Sequence, residues 1–293
     1  MTERYLIINA DDYGMCHAAN EAVEDLFNNG LITSATLMTP CPWAEDALRR
    51  AERNERMHVG LHLTLNAEYQ TYRWGPVSRK PVPSLLDEWG YLFQSVPPLL
   101  AEAEPEDIRT EIAAQLDWML ARGYRPTHMD NHMGSLYGLM GPGFLPDVFA
   151  LCAKHGLPFR MPRSPVTFGR LPPDIQAILA RACAEADRLG VGILDSLLDF
   201  GRPLTPSDTY ETVKARYIEV IRGIGPGINE LFLHPALDTA ELRAICPAWH
   251  MRVWEHRVML DDEVGRVIEK EGIKLTTWTE APFGKRALEG SHV

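Results

Sequence analysis

The chain has 293 residues, of which 45% are hydrophobic and 24% are charged, a composition typical of globular proteins with room for a large core. Its net charge of −11 argues against non-specific nucleic-acid binding, and no apolar stretch approaches the roughly 18 residues of a membrane span. Five scattered cysteines without a CxxC pair favour free thiols, and the first residues lack the pattern of a signal peptide. We therefore expect a cytoplasmic protein that binds neither nucleic acid nor membrane.

Strand-like and helix-like segments alternate from one end of the chain to the other. The predicted strands are residues 4–10, 34–39, 58–65, 127–131, 158–161, 192–198, 228–233 and 274–278. The predicted helices are residues 16–29, 43–54, 106–122, 145–154, 174–188, 207–222 and 249–270, with Ser207 as the N-cap of the sixth. This alternation predicts an α/β fold, a variant TIM-like (β/α) barrel with about seven to eight parallel strands.

Residues 66–104 interrupt the alternation with many prolines and aromatic residues. A long irregular segment inside a compact domain is usually functional or disordered. The tryptophans in this one, Trp74 and Trp89, favour packing over disorder. We predict a single domain over residues 1–293, with an insertion at about residues 66–104.

Polar side chains stand where four of the predicted strands end. In chain order they are Asp11, Asp12, His62, His128, Asp130, His132 and His234. In a (β/α) barrel the catalytic residues come from the carboxyl ends of different strands, and these positions fit that rule. A doubly wound open sheet, the structural alternative, gathers its ligands in one crevice at a topological switch point. The spread of the polar residues along the chain favours the barrel.

Each polar cluster also has a simpler interpretation when it is taken alone. The aspartate pair could form a solvated turn before a helix, and a lone histidine could be a core residue or lie in a loop. His128, Asp130 and His132, however, recur at every second residue, so one strand face would carry all three. Two histidines around an aspartate are typical of a metal site with a supporting carboxylate. Their occurrence together with the other clusters favours one shared site.

The residue types in these clusters indicate hydrolysis. One carboxylate and two imidazoles form a three-ligand site for one divalent ion and leave positions for water and substrate. Such an ion lowers the pKa of bound water and polarises a carbonyl, and a second carboxylate can accept the proton. An imidazole on the opposite side can protonate a leaving amine. These donors suit zinc and are also compatible with magnesium, so the sequence leaves the identity of the ion open.

Four motifs in the chain resemble those of a known family. They are residues 9–14 (NADDYG), 59–63 (VGLHL), 126–132 (PTHMDNH) and 231–235 (LFLHP). With them the chain resembles the YdjC-like carbohydrate deacetylases, which include chitooligosaccharide deacetylases and relatives from hopanoid biosynthesis. The resemblance implies a variant (β/α) barrel that removes an acetyl group from an N-acetylated sugar or oligosaccharide.

The resemblance also implies roles for individual residues. The family's metal ligands correspond to Asp12, His62 and His132, and its general base corresponds to Asp11. His234 is similar to the general acid of the wider polysaccharide deacetylases. The implied enzyme is a metal-dependent carbohydrate N-deacetylase with a small-molecule sugar substrate.

Three further residues receive supporting roles from the same resemblance. His128 and Asp130 would lie behind the metal ligands, where they would orient His132 or touch the substrate. Arg160 matches a family arginine near the site and could orient Asp11. The alternative for Arg160 is an ordinary surface arginine.

Some features leave other interpretations open. After the third motif the chain continues with residues 133–138 (MGSLYG), whereas some relatives continue with histidines, so chitobiose is not specified as the substrate. The aromatic residues of the insertion could stack on sugar rings, form a lid or make a subunit contact in a homodimer. The competing functions are another metallohydrolase, such as a phosphoesterase, and a non-catalytic sugar-binding barrel. Two-metal phosphoesterases need more ligands than the sequence offers.

Overall fold

A computed structural model describes residues 3–164, 172–201 and 204–283, and within them strands and helices alternate as predicted. The strands are β1 Arg4–Tyr13, β2 Ser34–Leu37, β3 Val59–Leu63, β4 Met129–Asn131, β5 Pro162–Ser164, β6 Leu194–Leu198, β7 Gly227–Leu233 and β8 Lys274–Leu275. The helices are α1 His17–Asn29, α2 Ala44–Arg53, α3 Val96–Glu102, α4 Pro105–Leu120, α5 Leu145–His155, α6 Pro173–Leu189, α7 Tyr210–Arg222, α8 Ala240–Ile245, α9 Trp249–Met259 and α10 Asp262–Lys270. Seven to eight parallel strands thus form a barrel-like α/β fold, as the alternation predicts.

The sheet runs in the order β4-β3-β2-β1-β7-β6-β5, and every described pairing along it is parallel. The segment before β5 links its two edges. On one side Met129 N donates to Pro158 O at 3.0 Å and Arg160 N donates to Met129 O at 2.9 Å. On the other side Leu194 N donates to Met161 O at 3.0 Å. The sheet therefore curls until the carboxyl ends of its strands face a common mouth.

Two strand predictions need correction. The strand predicted at residues 158–161 is wrong in position, because the regular strand begins at Pro162. Residues 158–161 instead hydrogen-bond in turn to the segments of β4 and β6 and form only an isolated bridge. The strand predicted at residues 274–278 is also too long. It shortens to the two residues of β8, which pair with Tyr5 and Leu6 beside the start of β1 and lie off the main strand order.

Two helix predictions also differ from the structure. The helix predicted over residues 249–270 is interrupted after Met259, and the Asp261 side chain accepts a hydrogen bond from Glu263 N to start α10. Ser207 does not cap α7. Thr209 takes that position, with extended backbone and an Oγ1 that accepts a hydrogen bond from Thr212 N at 3.3 Å.

The segment at residues 66–104 packs against the barrel, as its tryptophans predict. Trp74 is buried and donates its indole N–H to Asn66 O at 2.9 Å. The Glu111 carboxylate on α4 accepts hydrogen bonds from the backbone of Val77 and Ser78, each at 2.9 Å. Trp89, by contrast, is 75% exposed and is free to contact another molecule. None of the described helices is long and apolar enough to cross a bilayer.

Candidate active site

A bulge at the end of β1 brings Asp11 and Asp12 to the same cavity. Ala10 pairs with Ala35 and Tyr13 with Leu37, so β1 holds one more residue than β2 over this stretch. Strict alternation would send the two aspartates to opposite faces of the sheet. Asp12 instead takes a left-handed backbone with φ of 61°, which residues other than glycine rarely adopt. Both carboxylates therefore line the cavity.

Asp12, His62 and His132 form a group that fits a divalent cation. Asp12 Oδ1 lies 3.5 Å from His62 Nε2 and 3.3 Å from His132 Nδ1. The ligand atoms of this group lie within 4.8 Å of one another. Asp12 Oδ1 is buried and accepts no hydrogen bond from the described residues, as expected of an atom that awaits a cation. An ion with bonds of about 2.0–2.2 Å fits between atoms at these separations.

Each of these three side chains contacts a further charged residue through its other polar atom. His62 Nδ1 lies 2.6 Å from Asp130 Oδ1, and Arg252 Nη2 donates to Asp12 Oδ2 at 2.6 Å. His132 Nε2 lies 2.9 Å from Glu68 Oε2. Such partners fix the orientation of a ligand and leave its other donor atom facing the metal.

The carboxylates also control the charge of the histidines. Burial alone would lower the pKa of His62, but Asp130 and Asp12 outweigh it and raise that pKa to about 9. Burial likewise opposes the charged form of His132, yet Glu68 and Asp12 raise its pKa to about 10. Both rings are therefore protonated at neutral pH in the metal-free protein, and a cation must displace those protons to bind.

The supporting residues differ from those predicted. Asp130 orients His62 rather than His132, and Glu68 occupies the place behind His132. His128 stacks on Trp278 with ring centroids 4.4 Å apart and an interplanar angle of 9°, and it is absent from the described cavity lining. A Cβ atom on Gly60 would lie 2.4 Å from the His128 ring, so the glycine makes room for it. His128 thus packs inside the barrel.

Arg160 is buried at the centre of three carboxylates and is not a surface arginine. Its two Nη atoms donate to the two oxygens of Asp11, each at 2.6 Å, and Nη1 also lies 2.9 Å from Asp130 Oδ2. Its Nε donates to Glu230 Oε1 at 2.9 Å. Burial would raise the pKa of Asp11, but the guanidinium outweighs burial and lowers that pKa to about 2. Burial prevails at Glu230 and raises its pKa to about 7.

A second group of ligand atoms, Asp11, His62 and Asp130, also lies within metal-binding distance. Here the surroundings argue against a cation. Arg160 already donates a hydrogen bond to Asp11 and forms an ion pair with Asp130. A second cation at this group would therefore be repelled by the guanidinium. The described residues therefore offer one favourable cation site.

His234 follows the last residue of β7 and borders the same cavity. Its Nε2 lies 4.0 Å from Asp11 Oδ2, and its side chain is partly exposed. The backbone N–H of His234 donates to Glu255 Oε2 at 2.8 Å, which ties the end of β7 to α9. The cavity encloses about 800 Å³ above these side chains.

The sequence analysis missed four charged residues around the site: Glu68, Glu230, Arg252 and Glu255. Glu230 had a usable signal, because a carboxylate in the middle of an apolar strand needs a buried partner. Arg252 and Glu255 lie one turn apart on α9, a helix whose sequence mixes charged and apolar residues, so neither stands out. Glu68 lies in the irregular insertion, where no periodicity indicates which side chains turn inward.

The fold and the Asp12–His62–His132 group define a barrel-like α/β protein with a candidate divalent-cation site. The chain belongs to the YdjC-like family, whose model, described as "YdjC-like protein", matches residues 5–270.

Relatives and one solved structure agree with this membership. A carbohydrate deacetylase of Brevibacillus brevis is 36% identical over 279 residues, which cover 94% of this chain and 98% of the relative. A carbohydrate deacetylase of Thermoanaerobacter pseudethanolicus is 27% identical over 278 residues, with the same two coverages of 94% and 98%. A crystal structure from Enterococcus faecalis V583, described as a candidate cellobiose-phosphate cleavage protein, superposes with a TM-score of 0.76 at 25% identity. It covers 94% of this chain and 98% of that one.

Proposed function

We propose that the protein is a metal-dependent carbohydrate N-deacetylase, which hydrolyses the acetamide of an N-acetylated sugar or oligosaccharide to a free amine and acetate. The observation that carries the proposal is the convergence of Asp12 Oδ1, His62 Nε2 and His132 Nδ1 beside Asp11 and His234 in one cavity. Full-length relatives named carbohydrate deacetylase support the choice of substrate. We also propose that residues 1–293 act as one domain, since one cluster of buried hydrophobic side chains has members from Leu6 to Ile273.

In this proposal Asp12, His62 and His132 hold one divalent ion. When bound, the ion supplies a Lewis acid that acidifies a water molecule and polarises the acetyl carbonyl. Two imidazoles and one carboxylate suit zinc, and magnesium is a second candidate. Asp130, Glu68 and Arg252 keep the three ligand atoms turned toward the ion.

Asp11 acts as the general base in the proposed reaction. Arg160 keeps the Asp11 carboxylate ionised at every pH near neutrality, so it is always able to accept a proton from the attacking water. The same two hydrogen bonds fix the plane of the carboxylate. Arg160 therefore lowers the basicity of Asp11 while it secures its position.

His234 supplies the proton that the leaving group needs. As the carbon–nitrogen bond breaks and the carbon–oxygen bond of acetate forms, the sugar nitrogen must take up a proton to leave as an amine. Imidazole is a common general acid in enzymes, and His234 borders the cavity beside Asp11. It thus serves as the general acid.

Two competing functions fit the site less well. A two-metal phosphoesterase needs a second cation close to the first, and Arg160 engages the carboxylates that would bind it. A non-catalytic sugar-binding barrel has no need for three converging buried ligand atoms, one of which, Asp12 Oδ1, accepts no hydrogen bond from the described residues, because burying such a group is costly.

An acetate-release assay tests the proposal. The protein is stripped with a chelator, reloaded with Zn²⁺ or Mg²⁺, and incubated with a panel of N-acetylated monosaccharides and oligosaccharides. We expect acetate only from the reloaded protein. Hydrolysis of bis(p-nitrophenyl) phosphate without any acetate release would favour the phosphoesterase, and stoichiometric metal without any hydrolysis would favour a binding protein.

A further inference from the structure

The guanidinium of Arg160 divides all five of its N–H donors among three carboxylates. Nη1 donates to Asp11 Oδ2 at 2.6 Å and lies 2.9 Å from Asp130 Oδ2. Nη2 donates to Asp11 Oδ1 and to Glu230 Oε1, each at 2.6 Å, and Nε donates to Glu230 Oε1 at 2.9 Å. Asp11 therefore shares its cation with two other carboxylates.

One oxygen of Glu230 differs from the other carboxylate oxygens around Arg160. Both oxygens of Asp11 and both oxygens of Asp130 have hydrogen-bond or ion-pair partners. Glu230 Oε2 is buried and has no hydrogen-bond partner among the described residues. A charged oxygen in that position is costly, whereas a protonated oxygen carries no charge. A proton shared out among the three carboxylates is therefore expected on Glu230 Oε2.

The charges around Glu230 agree with that position for the proton. Burial, assisted by the negative charges of Asp11 on β1 and Asp130 on β4, outweighs the attraction of Arg160 and raises the pKa of Glu230 to about 7. Burial and Arg160 lower the pKa of His128 on β4, so that ring stays neutral. Glu230 thus changes its charge near neutral pH.

The strands on either side of Glu230 contribute few other charges. The residues that pair with it on β1 and β6 are apolar, namely Ile7 and Leu197. Asp195, earlier on β6, accepts a hydrogen bond from Ile228 N at 2.7 Å, near the start of β7. His234 lies beyond the far end of the same strand. The closest charged contact of Glu230 is therefore Arg160.

We propose that Glu230 is a positioning residue that carries a proton on Oε2 and releases it to solvent as the pH rises, so that it then competes with Asp11 for Arg160. The inference rests on the proposed function, in which Asp11 is the general base. An ionised carboxylate attracts the shared guanidinium more strongly than a neutral acid does. Asp11 keeps its position but is then less stabilised as an anion, which makes it a stronger base.

The experiment compares the pH profile of kcat/KM of the metal-loaded parent with that of Glu230→Gln, on an N-acetylated sugar that the parent hydrolyses. Glutamine has the shape of the protonated acid and cannot ionise. We expect agreement within about twofold near pH 6 and a parent that is about three- to tenfold faster near pH 8, since a stronger base accelerates proton transfer. The ratio of the two rates cancels groups that titrate in both proteins. A ratio that stays constant with pH would overturn the inference.

Two further variants separate the charge of the side chain from its shape. Glu230→Asp keeps an ionisable carboxyl group and should retain the rise in rate with pH that Glu230→Gln lacks. Glu269→Gln, exposed on α10, is the matched control and should follow the parent profile. Thermal melting and metal content are measured on every variant. Loss of the rise in both Glu230 variants would assign it to side-chain shape and overturn the inference.

Infrared spectroscopy detects the proton without any activity. The metal-loaded parent near pH 6 should show the carbonyl band of a buried carboxylic acid, which disappears as the pH rises. The band should be absent from Glu230→Gln and shifted in Glu230→Asp. If no sugar releases acetate, the proposed function fails, yet this band still tests the proton on Glu230. Identical pH-difference spectra for the parent and the Glu230 variants would overturn its assignment.

Discussion

His132 Nε2 lies 2.9 Å from Glu68 Oε2, so a residue that follows β3 orients a candidate metal ligand that follows β4. Glu68 belongs to the irregular segment at residues 66–104, for which the sequence leaves sugar stacking, a lid and a subunit contact open. Its carboxylate is mostly buried, and it raises the pKa of His132 against the opposing effect of burial. The insertion is therefore part of the candidate metal centre.

Replacing Glu68 with Gln should weaken Zn²⁺ binding by about 10–100-fold, because a neutral amide supports the basicity and orientation of His132 poorly. Competition with a chromophoric chelator measures the affinity. Glu88→Gln is the matched control, since Glu88 is exposed in the same segment and should bind Zn²⁺ like the parent protein. Unchanged affinity in Glu68→Gln would show that the contact does not support the metal.

Replacing His132 with Ala should abolish stoichiometric metal binding while the protein stays folded. The substitution removes one of three ligand atoms from the end of β4 and leaves the apolar core intact. Elemental analysis after gel filtration measures the metal content, and circular dichroism measures the fold. His155→Ala, at the end of α5 and outside both candidate ligand groups, should retain the metal. Full occupancy in His132→Ala would refute the ligand set.

Replacing Asp11 with Asn should keep the metal and lower turnover by about 10²–10⁴-fold, the usual contribution of a general base. The amide preserves the shape of the carboxylate but cannot accept the proton. Single-turnover acetate release and metal content are measured on the same preparation. Activity within a few-fold of the parent would mean that Asp11 only balances the charge of Arg160.

Replacing His234 with Ala should slow hydrolysis of N-acetylated sugars far more than hydrolysis of aryl acetate esters. An amine must be protonated to leave, whereas a phenolate leaves without a proton. The comparison of the two substrate types in one variant removes differences in folding or metal content. An equal loss on both would assign His234 to stabilising the oxyanion or shaping the cavity.

Binding of Zn²⁺ at pH 7 should release about two protons. In the metal-free protein the pKa values of His62 and His132 are raised to about 9 and about 10, so both rings are charged below those values, and only neutral rings bind a metal. Affinity should therefore rise as pH increases from 6 toward 9. Calorimetry in two buffers of different ionisation enthalpy counts the protons. A proton-independent affinity would contradict the charged state of the rings.

The sequence places Asp12, His62 and His132 at or near the ends of apolar strands, and their role as metal ligands stays a prediction from the family resemblance. His62 takes a position that strand periodicity indicates, whereas Asp12 joins Asp11 at the cavity only through the bulge at the end of β1. The residues behind them are harder to predict, since Glu68 and Arg252 reach their partners across sequence separations of 64 and 240 residues. Neither separation leaves a periodic signal, and only the folded barrel brings the pairs together.

The boundaries that differ from the sequence prediction have local physical causes. The backbone groups of residues 158–161 hydrogen-bond to two neighbouring segments in turn. The hydrophobic pattern of such a segment is the same as that of a regular strand, so the sequence alone does not distinguish the two. The helix predicted over residues 249–270 keeps its apolar periodicity across Leu260, so the break appears only in the capping contact of Asp261. Side-chain chemistry, rather than hydrophobicity, decides both cases.

The ion pair between Arg252 and Asp12 affects the order in which the candidate metal site forms during synthesis of the chain. A chain emerging from the ribosome carries all three candidate ligands by residue 132, yet the guanidinium that holds Asp12 comes 240 residues after it. A nascent chain that ends before Arg252 therefore contains the three candidate ligands, but the orientation of Asp12 is not yet fixed. For the proposed cation, full affinity would require the docking of α9, and binding would then stabilise the completed barrel as a whole.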